Sequence, residues 1–220
     1  MAEKYGVIPK KFTGEWFDYV WTYYKWHMII PITVIIFTAV TIYQCTHRPK
    51  YDADVIYAGQ TVFSDSQMKE IPLGMAQYCD NIDGDDETRV SFQQINFSRR
   101  AGSEEMDYNL QMKLDLQFQR NNAYLFIFDK TEADLMIGRE EEDLIYSPVE
   151  EWAASMPSED KLYMKNGKAY AVSLADNEVI KRLGIKTDDL YLVLRVNNGG
   201  EESETRYTNA KKLANGLLGN

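Results

Sequence analysis

One long uncharged run stands out in the pattern of hydrophobic and polar positions. It covers 28–45, reads MIIPITVIIFTAVTIYQC and contains no charged residue. A helix over this run is about 27 Å long, close to the roughly 30 Å hydrocarbon core of a bilayer. A buried helix of a soluble protein is the alternative, but β-branched residues crowd the run and aromatic residues flank it. The pattern therefore predicts one transmembrane helix at 27–46.

Aromatic residues lie on both sides of this run. Trp and Tyr rings favour the headgroup level of a membrane, because their body is apolar and their tip is polar. We therefore expect residues 13–26 to form an interfacial helix that begins with Thr13 as its N-cap and continues into the span. The same rings could instead contact another membrane protein. The predicted interface residues are Trp16, Trp21, Tyr24 and Trp26 before the span and Tyr43 at its end.

Basic residues predict the orientation of the anchor. Four lysines precede the run, whereas two basic residues follow it closely: Lys4, Lys10, Lys11 and Lys25 against Arg48 and Lys50. Because cytoplasmic flanks carry the excess of Lys and Arg, the N-terminus is expected inside and the remainder outside. The run is longer and starts later than the core of a cleaved signal peptide. We therefore predict an uncleaved signal anchor in the cell membrane.

Beyond a short polar stalk at 47–52, strand-like apolar runs alternate with helical patterns. Such alternation predicts a layered α/β domain over 53–220 with a mostly parallel sheet. The predicted strands cover 54–59, 89–98, 123–129, 167–175 and 189–196. The predicted helices begin at Ser64, where Gln67 completes a capping box, at Ser103, at Thr131 as N-cap, at Asp176 and at 203.

Two of these segments carry more detailed predictions. The helix over 103–120 is expected to bury an apolar stripe. The acidic stretch 139–160 is expected to be irregular and to lie across the surface, Trp152 included. The residues of the predicted stripe are Met106, Leu110, Leu114, Leu116 and Phe118.

Charge changes the picture by removing one class of partner. The chain holds 24 Lys and Arg and 34 Asp and Glu; residues 1–50 contain 6 and 3 of these, so 18 and 31 follow, a balance of −13. Nucleic-acid affinity depends mainly on cationic contacts to phosphates. We therefore expect no nucleic-acid partner.

Residue types that carry catalysis or bind metals are sparse. The two histidines, His27 and His47, bracket the span, so the outer domain lacks the base of Ser-His and Cys-His mechanisms. The turn DNIDGDD lacks two essential ligands of an EF-hand calcium loop, and no Gly-rich phosphate loop is present. Cys45 and Cys79 are expected to be unpaired thiols. We predict no catalytic residue, no metal site and no cofactor.

The carboxyl ends of two predicted strands are the one candidate ligand site. Open α/β sheets bind ligands beyond the carboxyl ends of their strands. Gln60 and Thr61 follow the first strand, and Asp129 ends the strand AYLFIFD. We therefore select Gln60, Thr61 and Asp129 as candidate ligand-binding residues, with ordinary surface loops as the alternative.

Two parts of the chain resemble known groups of proteins. The segment YGVIPKKFTGEWFDYVWTYYKWH, leading into a span, resembles uncharacterised single-pass membrane-anchored proteins of clostridia and related Gram-positive bacteria. The succession DADVIYAG, DNIDGDD, VSFQQINF and AYLFIFD, over about 52–130, resembles part of a lobe of extracytoplasmic solute-binding proteins. The resemblance implies a βαβαβ lobe on the outer face of the membrane. The outer domain leaves little room for a second full lobe.

The expected function is a membrane-tethered extracytoplasmic binding or interaction module without catalytic activity, accessory to a transporter or an envelope assembly. Its partners would be the lipid bilayer and either a membrane protein or a small extracellular ligand. One alternative is a carboxylate-based hydrolase of the cell envelope. Another is a subunit of a membrane complex that docks through residues 13–26.

Overall fold

A computed structural model describes residues 9–46, 50–82, 84–119, 123–138, 145–197 and 199–219. The chain divides into two units, Met1–Pro49 and Lys50–Asn220, which are described separately below. Some positions used in the sequence predictions lie outside the described residues: Lys4, His47 and Arg48 of the anchor and stalk, Asp83 of the DNIDGDD turn, the end of the helix predicted over 103–120, and 139–144 of the acidic stretch.

The anchor unit is one continuous helix, α1, over Gly14–Thr46. Thr13 caps it as predicted, because its Oγ1 accepts a hydrogen bond from the Trp16 N–H at 3.3 Å. Thr38 and Thr41 donate their hydroxyls to helix carbonyls, so they bring no unpaired polar group into the apolar run. In the described part of the chain, α1 is the one helix long and apolar enough to cross a membrane. The structure is therefore compatible with a membrane anchor.

The second unit contains six strands and five helices in its described residues. Two single 3-10 turns lie at Val149–Glu151 and Glu159–Lys161. The strands are β1 (Ala53–Gly59), β2 (Val90–Asn96), β3 (Leu125–Asp129), β4 (Leu162–Lys165), β5 (Lys168–Ser173) and β6 (Leu190–Leu194). The helices are α2 (Asp65–Ala76), α3 (Glu104–Gln119), α4 (Lys130–Ile137), α5 (Glu178–Arg182) and α6 (Glu201–Leu218).

The strands form one sheet in the order β2-β1-β3-β6-β5-β4. β1 pairs in parallel with β2 and β3, and the remaining pairs are antiparallel. The predicted α/β architecture is confirmed, and its parallel half is formed by the first three strands. β4 was not predicted; it joins β5 through Asn166 and Gly167, both at positive φ, which is the backbone of a tight hairpin turn.

Helices cover both faces of the sheet. β2 and β3 lie on opposite sides of β1, and crossovers between parallel strands are right-handed, so α2 and α3 must cover opposite faces. The buried residues agree, because Ile71 and Met75 of α2 belong to one apolar cluster, and Leu114 and Phe118 of α3 belong to the other. α6 packs on the α2 face and α4 on the α3 face.

The stripe predicted on α3 is only half correct. Leu114 and Phe118 are buried and Leu110 packs against them, but Met106 and Leu116 are 53% and 54% exposed. Leu116 lies about 200° around the helix from Leu114, so the two side chains cannot face the same core. Asp107 and Gln117 occupy the buried face instead.

Two further predictions in this part of the chain were wrong. Asp129, not Thr131, is the N-cap of α4, since its side chain accepts the Glu132 N–H. The acidic stretch does not simply lie across the surface, because its apolar residues enter the core: Tyr146, Val149 and Trp152 are buried. Val149 and Trp152 join the apolar cluster on the α2 face, and Tyr146 joins the cluster on the α3 face.

Candidate functional site

The candidate site lies where the carboxyl ends of β1 and β3 meet. After β1 the chain crosses to β2 on one side, and after β3 it continues towards the opposite edge of the sheet. Ligands of open α/β proteins bind where the chain leaves two neighbouring strands in opposite directions in this way. The predicted residues do come together here. The Gln60 N–H donates to Asp129 Oδ2 at 2.8 Å.

Protein groups occupy this junction. Asp129 also accepts the Glu132 N–H through Oδ1 at 2.8 Å, so one carboxylate caps α4 and ties β1 to β3. The Thr61 N–H donates to the Tyr57 hydroxyl at 2.9 Å. A Cβ on Gly59 would lie 2.4 Å from that hydroxyl oxygen, so this close arrangement requires glycine. Direct ligand contact by Gln60, Thr61 and Asp129 stays a prediction.

A second network follows the third parallel strand, β2. The chain turns just after it, where the Phe97 N–H donates to the Gly59 carbonyl at 3.0 Å. Asp107 of α3 accepts the N–H groups of Ser98 and Arg99 and the Ser103 hydroxyl, each at 2.8 Å. Burial alone would raise the pKa of Asp107, but these hydrogen bonds outweigh burial and hold it below the ordinary value.

This turn presents the Arg99 side chain in a fixed position. Arg99 Nε and Nη2 lie 2.7 and 2.5 Å from Glu132 Oε1, and the guanidinium carbon lies 4.2 Å from the centre of the Phe97 ring. Glu132 is fully buried. Burial raises its pKa, and Arg99 opposes that shift. Glu132 Oε2 has no hydrogen-bond partner among the described residues.

An open depression of about 540 Å³ adjoins Arg99, on the side of α3. This volume falls in the range of about 300–1,000 Å³ that is common for ligand sites. The Tyr108 side chain is 65% exposed there. The lining residues are Arg99, Arg100, Ala101, Glu104, Asp107, Tyr108 and Gln111.

Sequence reasoning missed this site for an identifiable reason. The rule that selected Gln60 and Asp129, proximity to the carboxyl end of a parallel strand, applies equally to β2. Ser98, Arg99 and Arg100 follow that strand after one intervening residue, Phe97. The partners Glu132 and Asp107 are 33 and 8 residues from Arg99 in sequence, and no local pattern in the sequence pairs them with it.

The arrangement of acids determines what chemistry the site can perform. Asp107, Asp129 and Glu132 lie around the strand ends, but the first two accept backbone N–H groups and the third accepts Arg99. Of these three, Asp107 alone lines the depression. In the described ranges, no group of three or more His, Cys, Asp or Glu side chains is placed to hold a metal ion.

Comparisons with known proteins give no further guide: no family model, no curated protein and no solved structure matches this chain.

Proposed function

We propose that this chain is a membrane-tethered extracytoplasmic binding module without catalytic activity, and that its ligand site is the depression beside Arg99. The fixed guanidinium carries the proposal, because it is held from two sides and borders an open space of ligand size. A side chain positioned before the ligand arrives loses less entropy on binding.

The bonding of the acids supports binding over the alternative of a carboxylate-based hydrolase. A glycosidase needs two carboxyl groups flanking a common open space. Asp129 and Glu132 are committed to the joint between β1, β3 and α4. The remaining acids on the depression are Asp107, which accepts three protein hydrogen bonds, and Glu104 at its edge.

The sidedness of the proposal comes from charge. The lysines before the apolar run outnumber the basic residues just after it, which favours a cytoplasmic N-terminus. The Arg99 site would then face the outside of the cell. The α1 helix would keep it at the membrane surface, where a transporter or an envelope assembly could receive the ligand.

Thermal unfolding of the full chain in detergent micelles tests the proposal. Solutes, calcium and cell-wall fragments are added one class at a time. A ligand at 100 times its Kd adds about 2.7 kcal/mol of stability, which raises Tm by roughly 5–10 °C for a domain of this size. We expect at least one class to give such a shift in the wild type. The same shift in Arg99→Lys would place the ligand elsewhere, and no shift with any class would contradict a small-ligand function.

A second candidate is a subunit that docks through residues 13–26. One observation favours it: α1 begins at Gly14, well before the apolar run of membrane length, and this extension carries the aromatic rings of Phe17, Trp21 and Trp26. A photo-crosslinking residue at Phe17 or Trp21 would give one product of defined mass with a docked partner. The same residue at Ile35 is the control, and crosslinks to lipid alone at all three positions would exclude docking.

A further inference from the structure

We infer that the group recognised in the Arg99 depression is a single carboxylate, bound end-on by the guanidinium. This inference rests on the proposed function and specifies its ligand. It is carried by the backbone at Arg99, by the edges of the guanidinium that remain free, and by the charge around them.

The backbone at Arg99 is unusual for its residue type. In the domain unit, four described non-glycine residues have positive φ: Arg99, Asn166, Asp176 and Asp189. Asn and Asp tolerate this conformation because their short side chains bond locally, whereas other residues are strained by roughly 1 kcal/mol or more. Asp107 holds the strained turn by accepting the N–H groups of Ser98 and Arg99. In this conformation the Arg99 side chain contacts Glu132 and lines the depression.

The contacts of the guanidinium leave one edge free. Nε and Nη2 face Glu132 Oε1, and the Phe97 ring lies against the guanidinium. Among the described residues, no hydrogen bond occupies Nη1. The end formed by Nη1 and the second N–H of Nη2 therefore remains, and its two parallel N–H groups match the two oxygens of a carboxylate. The Arg99 side chain as a whole is 27% exposed.

Local charge selects an anion with one charge rather than two. Arg99 and Arg100 supply the positive charge of the lining, and Glu104 and Asp107 oppose it. The Arg99 charge is also shared with Glu132. A phosphate group carries nearly two charges at neutral pH and would meet more repulsion than a carboxylate. The exposed ring of Tyr108 provides an apolar surface for the carbon skeleton that carries the acid.

The ligand could be a small carboxylic acid or the C-terminus of a peptide, and a pair of matched probes separates them. The full chain in lipid nanodiscs is examined by saturation-transfer NMR with N-acetyl-trialanine, as the free acid and as the C-terminal amide. We expect the acid to bind at least about 10-fold more tightly, because the amide cannot accept both N–H groups. Propionate that displaces the acid at similar concentration indicates a small-acid site; failure to displace it indicates a peptide terminus.

Variants test the role of Arg99 itself. Arg99→Lys keeps the charge opposite Glu132 but lacks the paired N–H groups, so we expect at least a 10-fold weaker binding of the acid probe. Arg182→Lys, at an exposed position of α5, is the matched control and should bind like the wild type. If Arg99→Lys fails to fold, the double variant Arg99→Gln with Glu132→Gln is used as the test variant in its place. It removes both charges of the buried pair, so neither is left uncompensated.

Several outcomes would overturn the carboxylate assignment: equal binding of acid and amide, unchanged binding by Arg99→Lys, stronger displacement by inorganic phosphate than by propionate, or no signal from either the peptide acid or propionate. The broader proposal has a separate readout. A small-ligand function fails if no ligand class shifts the thermal unfolding of the full chain, whatever the carboxylate probes show.

Discussion

At the scale of single residues, Glu132 is the group on which the Arg99 site depends. It is fully buried, one oxygen bonds Arg99 and the other has no described partner. A buried carboxylate is tolerated when a cation compensates its charge, and removing one member of such a pair is costly. The pH dependence of the site therefore comes from Glu132, which does not need to contact the ligand.

Replacing Glu132 by Gln should change how stability depends on pH. Burial raises the pKa of Glu132 above its ordinary value of 4.5. At pH values between the ordinary pKa and the raised pKa of the folded chain, the folded chain keeps a proton that the unfolded chain releases. The free energy of unfolding therefore falls as pH rises through this window. Gln cannot titrate. The measurement is urea unfolding of the full chain in micelles, followed by circular dichroism. As pH rises through this window, the wild type should lose unfolding free energy relative to Glu132→Gln.

The exposed Glu70 on α2 supplies the control for this experiment, because Glu70→Gln removes an acid outside the site. Its pH profile should run parallel to that of the wild type. If the profile of Glu132→Gln were also parallel to that of the wild type, Glu132 would have the same pKa in the folded and unfolded chain. That result would contradict a pKa raised by burial.

Cys79 should be chemically inert in the folded chain. Burial, with Asp52 and Asp80 nearby, raises its pKa to about 12. Because the thiolate is the reactive form, we expect iodoacetamide at pH 8 to modify Cys79 on the order of 100-fold more slowly in native than in urea-unfolded protein. A Cys45→Ala background leaves one thiol to count by mass spectrometry. Equal rates in the two states would contradict the assigned environment.

At the scale of elements, Asp129 shows how a candidate ligand residue can be a structural one. Asp129→Ala removes the cap of α4 and the bond to Gln60, so we expect a loss of roughly 2–4 kcal/mol in unfolding free energy. Asp129→Asn keeps an acceptor and should lose about 1 kcal/mol. Thr131→Ala, at the position first predicted to cap, should stay within about 0.5 kcal/mol. An unchanged Asp129→Ala would return this residue to a purely ligand-binding role.

The orientation of α3 is tested by two leucines that differ by two positions. Leu114 is fully buried and Leu116 is 54% exposed. Leu114→Ala should cost about 2–5 kcal/mol, as buried leucines do, whereas Leu116→Ala should stay within about 0.5 kcal/mol. Both are measured by urea unfolding. Similar losses at the two positions would mean that the exposed face of α3 is covered in the folded protein.

These elements also show what the sequence can predict. The capping box of α2, with Ser64 and Gln67, is a local signal, and the structure confirms it. The sequence of α3 does not show which of its faces is buried, because Met106 and Leu116 are as apolar as the buried residues. Only the position of the neighbouring sheet distinguishes the two faces. The Arg99 site combines residues from the turn after β2, from α3 and from α4, so its geometry appears only after the strands are ordered.

At the scale of the whole molecule, the chain combines one candidate membrane helix with a domain that has its own core on both faces of a sheet. The parallel half of that sheet provides the strand ends around which the Arg99 site is built. The antiparallel half adds β4, β5 and β6, of which β4 and β5 form a hairpin. A binding role outside the cell requires that the domain and its site be exposed there, which is a question of topology alone.

Topology can be measured in intact cells with a membrane-impermeant maleimide. In a background of Cys45→Ala and Cys79→Ala, a cysteine is introduced as Ser158→Cys, because Ser158 is exposed and makes no capping hydrogen bond. Lys10→Cys, before the apolar run, is the matched control. The excess of lysines before the run predicts that Ser158→Cys is labelled in intact cells, whereas Lys10→Cys is labelled only after permeabilisation. The reverse pattern would place the Arg99 site in the cytoplasm and exclude an extracytoplasmic binding module, while leaving the carboxylate chemistry of the site to be judged on its own.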